Sequence, residues 1–173
     1  MRRIVLLIIA IALAVVVYEA ARRKPQTSGG RPGAVDSVAA GFALQDLTGQ
    51  PLDLANYRGK VVLLDFWATW CTPCRAEISQ FVDYQNQYGP QGLQVIGISM
   101  DDDPKPVREF YQQFKMNYPV AMGTAKLAES YGGILGLPVT FLIDRNGRIA
   151  AKYVGEADMQ ALQKKLQALL REK

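Results

Sequence analysis

The sequence predicts an α/β fold, a mixed central sheet with flanking helices and an N-terminal hairpin ahead of it. Three observations carry this. "KVVLLDFWA" (60–68) and "LQVIGISM" (93–100) are near-continuous apolar runs, the pattern of strands buried on both faces. Between and after them, apolar residues recur every three or four positions, the period of a helix packed on one side. Near the end, "VTFLID" and "RIAAKYV" flank the turn Arg145-Asn146-Gly147, which predicts a second hairpin.

Taken in order, Phe42–Gln45 and Leu52–Leu54 form the short N-terminal hairpin around Thr48-Gly49-Gln50. The first buried strand follows, then a helix over residues 73–88 stopped by Gly89-Pro90. After the second buried strand, Pro106–Lys115 is a helix with Val107, Phe110, Tyr111 and Phe114 on one face. A short strand near Val120 and a helix around Ala125–Tyr131 lead to the terminal hairpin. The closing helix aligns Leu162, Leu166, Leu169 and Leu170 along one side. The acidic run "MDDDPKP" (100–106) lacks the alternating acids, glycine and distal glutamate of a calcium loop, and reads as an exposed turn into a helix.

Three segments divide the chain. Residues 1–21 hold two arginines and an unbroken apolar run from Ile4 to Val17, so they read as a signal peptide or a short signal anchor. Small residues suited to cleavage are poorly placed after that run. A helix extended to Ala21 reaches roughly 27 Å, enough to span. We expect an anchor. Residues 22–37, rich in Pro, Gly, Ser and charge, read as a flexible tether. Residues 38–173 are the domain, placed across the membrane whether or not the leader is kept. The formal charge of +4 resides entirely in residues 1–24, where it meets headgroups. No basic patch is left for nucleic acid.

"FWATWCTPCRAE" (66–77) contains both cysteines of the chain. A bridge closing so short a loop restricts the unfolded chain little, and a domain of this size has core enough without one. A closed zinc site takes four ligands, and the chain has two cysteines and no histidine. We therefore expect no metal. The missing histidine also removes Cys-His and Ser-His catalysis. Cys71 falls in the turn after a strand and Cys74 one helical turn later, so Cys71 sits at a helix N-terminus that favours a thiolate. Strand, Cys-x-x-Cys and helix together point to redox chemistry. Pro73 suits the first helical turn.

The box "LLDFWATWCTPC", the tether before it and the distal "YGGILGLPVTFLIDRNGRI" together resemble the thioredoxin superfamily, in its membrane-anchored TlpA/ResA-like branch of thiol-disulfide oxidoreductases. The resemblance covers roughly residues 38–172. It implies the thioredoxin fold with an insertion before the cis-proline strand, and an extracytoplasmic domain that reduces disulfides, often in cytochrome c maturation. It makes Cys71 the attacking and Cys74 the resolving cysteine. Pro138 becomes the cis-proline facing the disulfide, with Leu137 offering its backbone to an extended client. Trp70, Thr72 and Pro73 then border the client site, while Trp67 reads as a core aromatic. The cofactor is the Cys71–Cys74 disulfide itself. Expected partners are a disulfide-containing client, a membrane electron donor of the CcdA/DsbD type and the membrane through the anchor; the domain itself is expected to be a monomer.

Two carboxylates are candidate bases. Asp65 lies inside the first buried strand, where thioredoxins carry an acid and the TlpA/ResA branch more often asparagine. Desolvation raises its pKa, and we expect it to take the Cys74 proton. Glu77 matches an acidic residue near the resolving cysteine in ResA-like proteins; otherwise it is a first-turn acid facing the helix dipole. The lysine that thioredoxins place near the buried acid is missing, with Gly97 nearest to its position. Two further classes remain. A peroxiredoxin-like peroxidase needs a threonine three residues before its cysteine, where this chain has Ala68. A thiol-based module for binding or delivering copper or apo-cytochrome is the non-enzymatic alternative.

Overall fold

The computed structural model describes residues 37–172. The expected anchor over 1–21 and tether over 22–37 lie outside them, except that Ser37 opens the first strand instead of closing the tether. Among the described residues, no helix is long and apolar enough to cross a membrane.

Strand β1 (Ser37–Val38) precedes the hairpin of β2 (Ala43–Gln45) and β3 (Pro51–Asp53). The hairpin forms because Asp46 closes its turn: Oδ1 accepts from the Thr48 N–H (2.8 Å), the Thr48 hydroxyl (2.7 Å) and the Gln50 N–H (2.9 Å). Gly49 supplies the positive φ of 85° that the turn needs. Leu54 starts a 3₁₀ turn and is not part of the hairpin, since the Asp53 side chain caps that turn through the Ala55 N–H.

The central elements follow the predicted alternation. Strand β4 (Val61–Trp67) leads to α1 (Thr72–Tyr88), and β5 (Leu93–Ser99) to α2 (Pro104–Gln113). Helix α2 begins two residues before the expected Pro106, because the Asp103 carboxylate accepts the Lys105 N–H at 2.8 Å and fixes the start there. It ends before Lys115, which takes a left-handed φ of 50°. Then come β6 (Val120–Met122), α3 (Ala125–Ser130), β7 (Val139–Ile143), β8 (Arg148–Val154) and α4 (Met159–Arg171).

The six-stranded sheet runs β1-β8-β7-β4-β5-β6. Strands β4, β5 and β6 are parallel, while β7, β8 and β1 run antiparallel to their neighbours, which makes the sheet mixed. Alternation along β4 divides the core. Leu63 and Trp67 face Ile78 and Phe81 of α1 and Leu162 and Leu166 of α4. Val62, Leu64 and Phe66 face Leu52, Tyr131 and Phe141 on the other side. This is the expected sheet flanked by helices, with α2 and β6 as the insertion before β7. The hairpin is fastened to the sheet's far edge: Asp46 bridges Ala121, the Leu47 N–H reaches the Val120 carbonyl at 2.8 Å, and the Arg108 guanidinium donates to the Leu47 carbonyl.

Candidate active site

Strand β4 ends at Trp67, and the chain turns through Ala68–Trp70 into α1. The turn closes with the Cys71 N–H on the Ala68 carbonyl at 3.2 Å. Cys71 is the N-cap of α1, its sulfur receiving the Cys74 N–H at 3.3 Å. The two cysteines are joined, S–S 1.97 Å, with Cα atoms 5.3 Å apart. Cys71 is 5% exposed and Cys74 0%, so the Cys74 sulfur is the deeper one. Thr72 is exposed and Pro73 half-buried on the first turn.

Around the disulfide, the two tryptophans divide in role. Trp67 is buried and leans on Phe110 with ring centroids 5.1 Å apart, a core aromatic as expected. Trp70, beside Cys71, is 70% exposed. The Leu137–Pro138 bond is cis. Val139, the next residue, pairs with Phe66 at the end of β4, which brings Pro138 to the same end of the sheet as the cysteines. The Pro138 carbonyl accepts the Gly155 N–H at 2.9 Å, while among the described residues none hydrogen-bonds to the Leu137 main chain. Leu135, close by in sequence, is fully exposed.

Both candidate carboxylates are buried. Asp65 is on the Trp67 side of β4, with Gly97 and Thr140 as its register partners on either side. The Thr140 hydroxyl donates to its Oδ1 at 3.2 Å. Burial pushes the Asp65 carboxyl well above the usual range, the Glu77 charge raises it further, and the Thr140 bond offsets part. At Gly97 a Cβ would stand 2.9 Å from Trp67 Nε1 and 3.0 Å from a Val120 methyl. A lysine there has no room, and among the described residues no cation lowers the Asp65 pKa.

Glu77 is not a first-turn acid: it lies on the inward side of α1, one turn beyond Cys74. Its Oε1 accepts the Ala157 N–H at 2.6 Å, and its Oε2 is buried with no partner among the described residues. Burial pushes the Glu77 carboxyl up to about 7; the Ala157 bond opposes this and the Glu156 charge adds to it. Both carboxyls are raised by burial, and the Glu77 charge is a further cause of the Asp65 rise, so the two titrations are coupled.

Two residues that matter here escape the sequence reading. Thr140 is the lone hydroxyl in an apolar strand, and Asp101 reads there as part of the exposed acidic turn. Of that run, Asp103 caps α2 and Asp101 reaches the loop before Cys71. No cluster of metal-ligating side chains forms among the described residues.

A disulfide at the cap of a helix, carried on a mixed sheet with a cis-proline at its rim, defines a thiol-disulfide oxidoreductase of the thioredoxin fold. The AhpC/TSA family profile matches residues 35–152, and the chain belongs to that branch of the thioredoxin superfamily. Thiol-disulfide oxidoreductase ResA of Bacillus cereus strain ZK is 32% identical over 173 residues, covering 97% of this chain and 94% of the relative. ResA of Bacillus subtilis strain 168 is 29% identical over 152 residues, covering 87% and 82%. Among solved structures, a thioredoxin-family thiol:disulfide interchange protein from Chlorobium tepidum TLS superposes with a TM-score of 0.73 at 29% identity, covering 80% of this chain and 99% of its own. The thioredoxin domain of a thiol-disulfide oxidoreductase from Bacteroides vulgatus gives 0.71 at 26%, covering 79% and 99%.

Proposed function

We propose that this chain is a membrane-anchored, extracytoplasmic reductase of client disulfides, apo-cytochrome c among the candidate clients. The supporting observation is the asymmetric pair: Cys71 at the helix cap, where free N–H groups favour its thiolate, and Cys74 fully buried, one helical turn before the buried Glu77. The Cys71 thiolate attacks one client sulfur and the other leaves as a thiolate. Cys74, deprotonated, then attacks the Cys71 sulfur; the client departs as a dithiol and the Cys71–Cys74 disulfide forms. Two electrons pass to the client, and a membrane donor of the CcdA/DsbD type restores the dithiol. Trp70, Thr72, Pro73 and the Leu137 main chain hold an extended client segment beside the sulfurs.

Position and titration bear on the base. Glu77 lies one helical turn beyond Cys74 and its carboxyl is pushed up to about 7, so at neutral pH it is near its midpoint and able to take the Cys74 proton. This reading ranks Glu77 ahead of Asp65, the opposite of the expectation from the sequence.

Reducing direction is supported by Thr72-Pro73 between the cysteines, where strong oxidants of the superfamily carry a histidine. A potential of roughly −220 to −300 mV is expected; a value above that of protein disulfide isomerase would refute it. Trapping tests the whole reading. With Cys74→Ser, clients accumulate as mixed disulfides on Cys71, and with Cys71→Ser they do not; the reverse pattern means the roles are exchanged. A reporter active only outside the cytoplasm, fused after Lys173, is expected to be active. One competing reading is peroxide reduction, since peroxiredoxins share this fold. Ala68 in the threonine position argues against it, and peroxide consumption at a rate rivalling disulfide reduction would establish it.

A further inference from the structure

Parallel pairing of β4 and β5 ends with Trp67 beside Ser99, so the segments leaving the two strands run side by side. The Met100 N–H continues the ladder to the Trp67 carbonyl at 2.8 Å. One step further the Asp101 carboxylate takes hold of Thr69 twice. Its Oδ2 accepts the Thr69 N–H at 2.9 Å and its Oδ1 the Thr69 hydroxyl at 2.5 Å. Ser99, buried, steadies the carboxylate: its hydroxyl donates to Oδ2 at 2.8 Å and receives the Asp101 N–H at 3.2 Å. Thr69 stands two residues before Cys71 and next to Trp70, whose ring is mostly in solvent. Within the loop itself, the Cys71 N–H on Ala68 is the main-chain bond that shapes it.

We propose that Asp101, acting through Thr69, is a positioning residue for the attacking cysteine. The clamp sets the height of the Trp70–Cys71 peptide over the end of α1, and so keeps the Cys71 sulfur within reach of the Cys74 N–H. A loosened loop lets the sulfur leave the free N–H groups, and its thiolate loses their stabilisation. The Asp101 charge by itself works the other way, since a nearby negative charge disfavours a thiolate. Geometry and charge therefore predict opposite outcomes when Asp101 is removed. The inference rests on Cys71 being the nucleophile.

The test is the rate of alkylation of reduced Cys71 by iodoacetamide from pH 5 to 9, in the Cys74→Ser protein. Thr69→Val and Asp101→Ala are each expected to slow alkylation at pH 7 by about 3–10-fold, the scale of one ordinary hydrogen bond, and to move the profile to higher pH. The double variant should be no slower than the slower single, because both break one clamp. Thr69→Ser, which keeps the hydroxyl, should restore the native profile. Rates within twofold of the parent in folded Thr69→Val and Asp101→Ala overturn the proposal, even if both melt earlier, because the clamp is then only structural. Faster alkylation in Asp101→Ala also overturns it, leaving a pure charge effect. Faster alkylation of Cys74 in the reciprocal Cys71→Ser protein than of Cys71 in the Cys74→Ser protein overturns the assignment of the nucleophile, which separates that failure from the failure of the clamp.

Discussion

Replacing Glu77 by glutamine tests the buried carboxylates through folding alone, without any client. Folding raises the Glu77 carboxyl from 4.5 to about 7. Between those values the folded state holds a proton that the unfolded state has lost, so raising the pH favours unfolding, and the loss is complete above about 7. At about 1.4 kcal/mol per pH unit, this removes about 3 kcal/mol of stability between pH 4.5 and 7. A glutamine side chain in the same place cannot ionise. It keeps a carbonyl for the Ala157 N–H but sets an amide where Oε2 has no partner, at a cost of about 1–3 kcal/mol at every pH. Urea unfolding of the oxidised protein, in which no thiol titrates, gives both curves from pH 4.5 to 8.5. The variant should be equal or weaker at pH 5 and should gain on the wild type by about 3 kcal/mol by pH 8. A difference curve that is flat, or that falls with pH, would show that Glu77 ionises near its ordinary value and would refute the reasoning.

Other perturbations follow from the same contacts. In stopped-flow, resolution of the mixed disulfide should rise with pH about a midpoint near 7, and Glu77→Gln should remove that inflection and slow the step about 10–100-fold. If Asp65→Asn slows it more, Asp65 is the base after all. Gly97→Ala should cost about 1–3 kcal/mol in urea unfolding, because its Cβ meets Trp67 Nε1 at 2.9 Å in a full core; a neutral result would mean that the indole can move aside. Arg145→Ala should cost about 2 kcal/mol with disulfide reduction unchanged, since its guanidinium ties the Gly59 carbonyl (2.7 Å) to those of Leu170 and Glu172 (both 3.1 Å) at the end of α4. Loss of activity in the folded variant would contradict a purely structural role.

Strand and helix periods make the fold legible because each reports burial that neighbours along the chain share. The start of α2 is misplaced by those periods because it depends on one side chain, Asp103. Cys71 and Cys74 can be read as a pair because the chemistry lies within four residues and one helix end. Asp65 is legible as a misfit in an apolar strand, yet its partner Thr140 lies 75 residues away and is brought there by β4–β7 register. For Glu77, helical spacing places it near Cys74, but only the packing of the loop before α4, through Ala157, shows that it is buried and why its carboxyl is raised. Asp101 is lost when three acids are read as one solvated group. Its neighbour follows a different strand, and the clue is the parallel alignment of the strand before it with the strand before Cys71.

The hairpin fastened to β6 has a consequence for how the chain avoids sticking to copies of itself. An outer strand with free N–H and C=O groups is a template for another chain to join. Here Asp46 and Leu47 occupy part of that border of Val120–Met122, and Arg108 holds them in place. The cover comes some 70 residues before the border it protects. A chain that emerges N-terminus first therefore has the covering residues already synthesised when β6 appears.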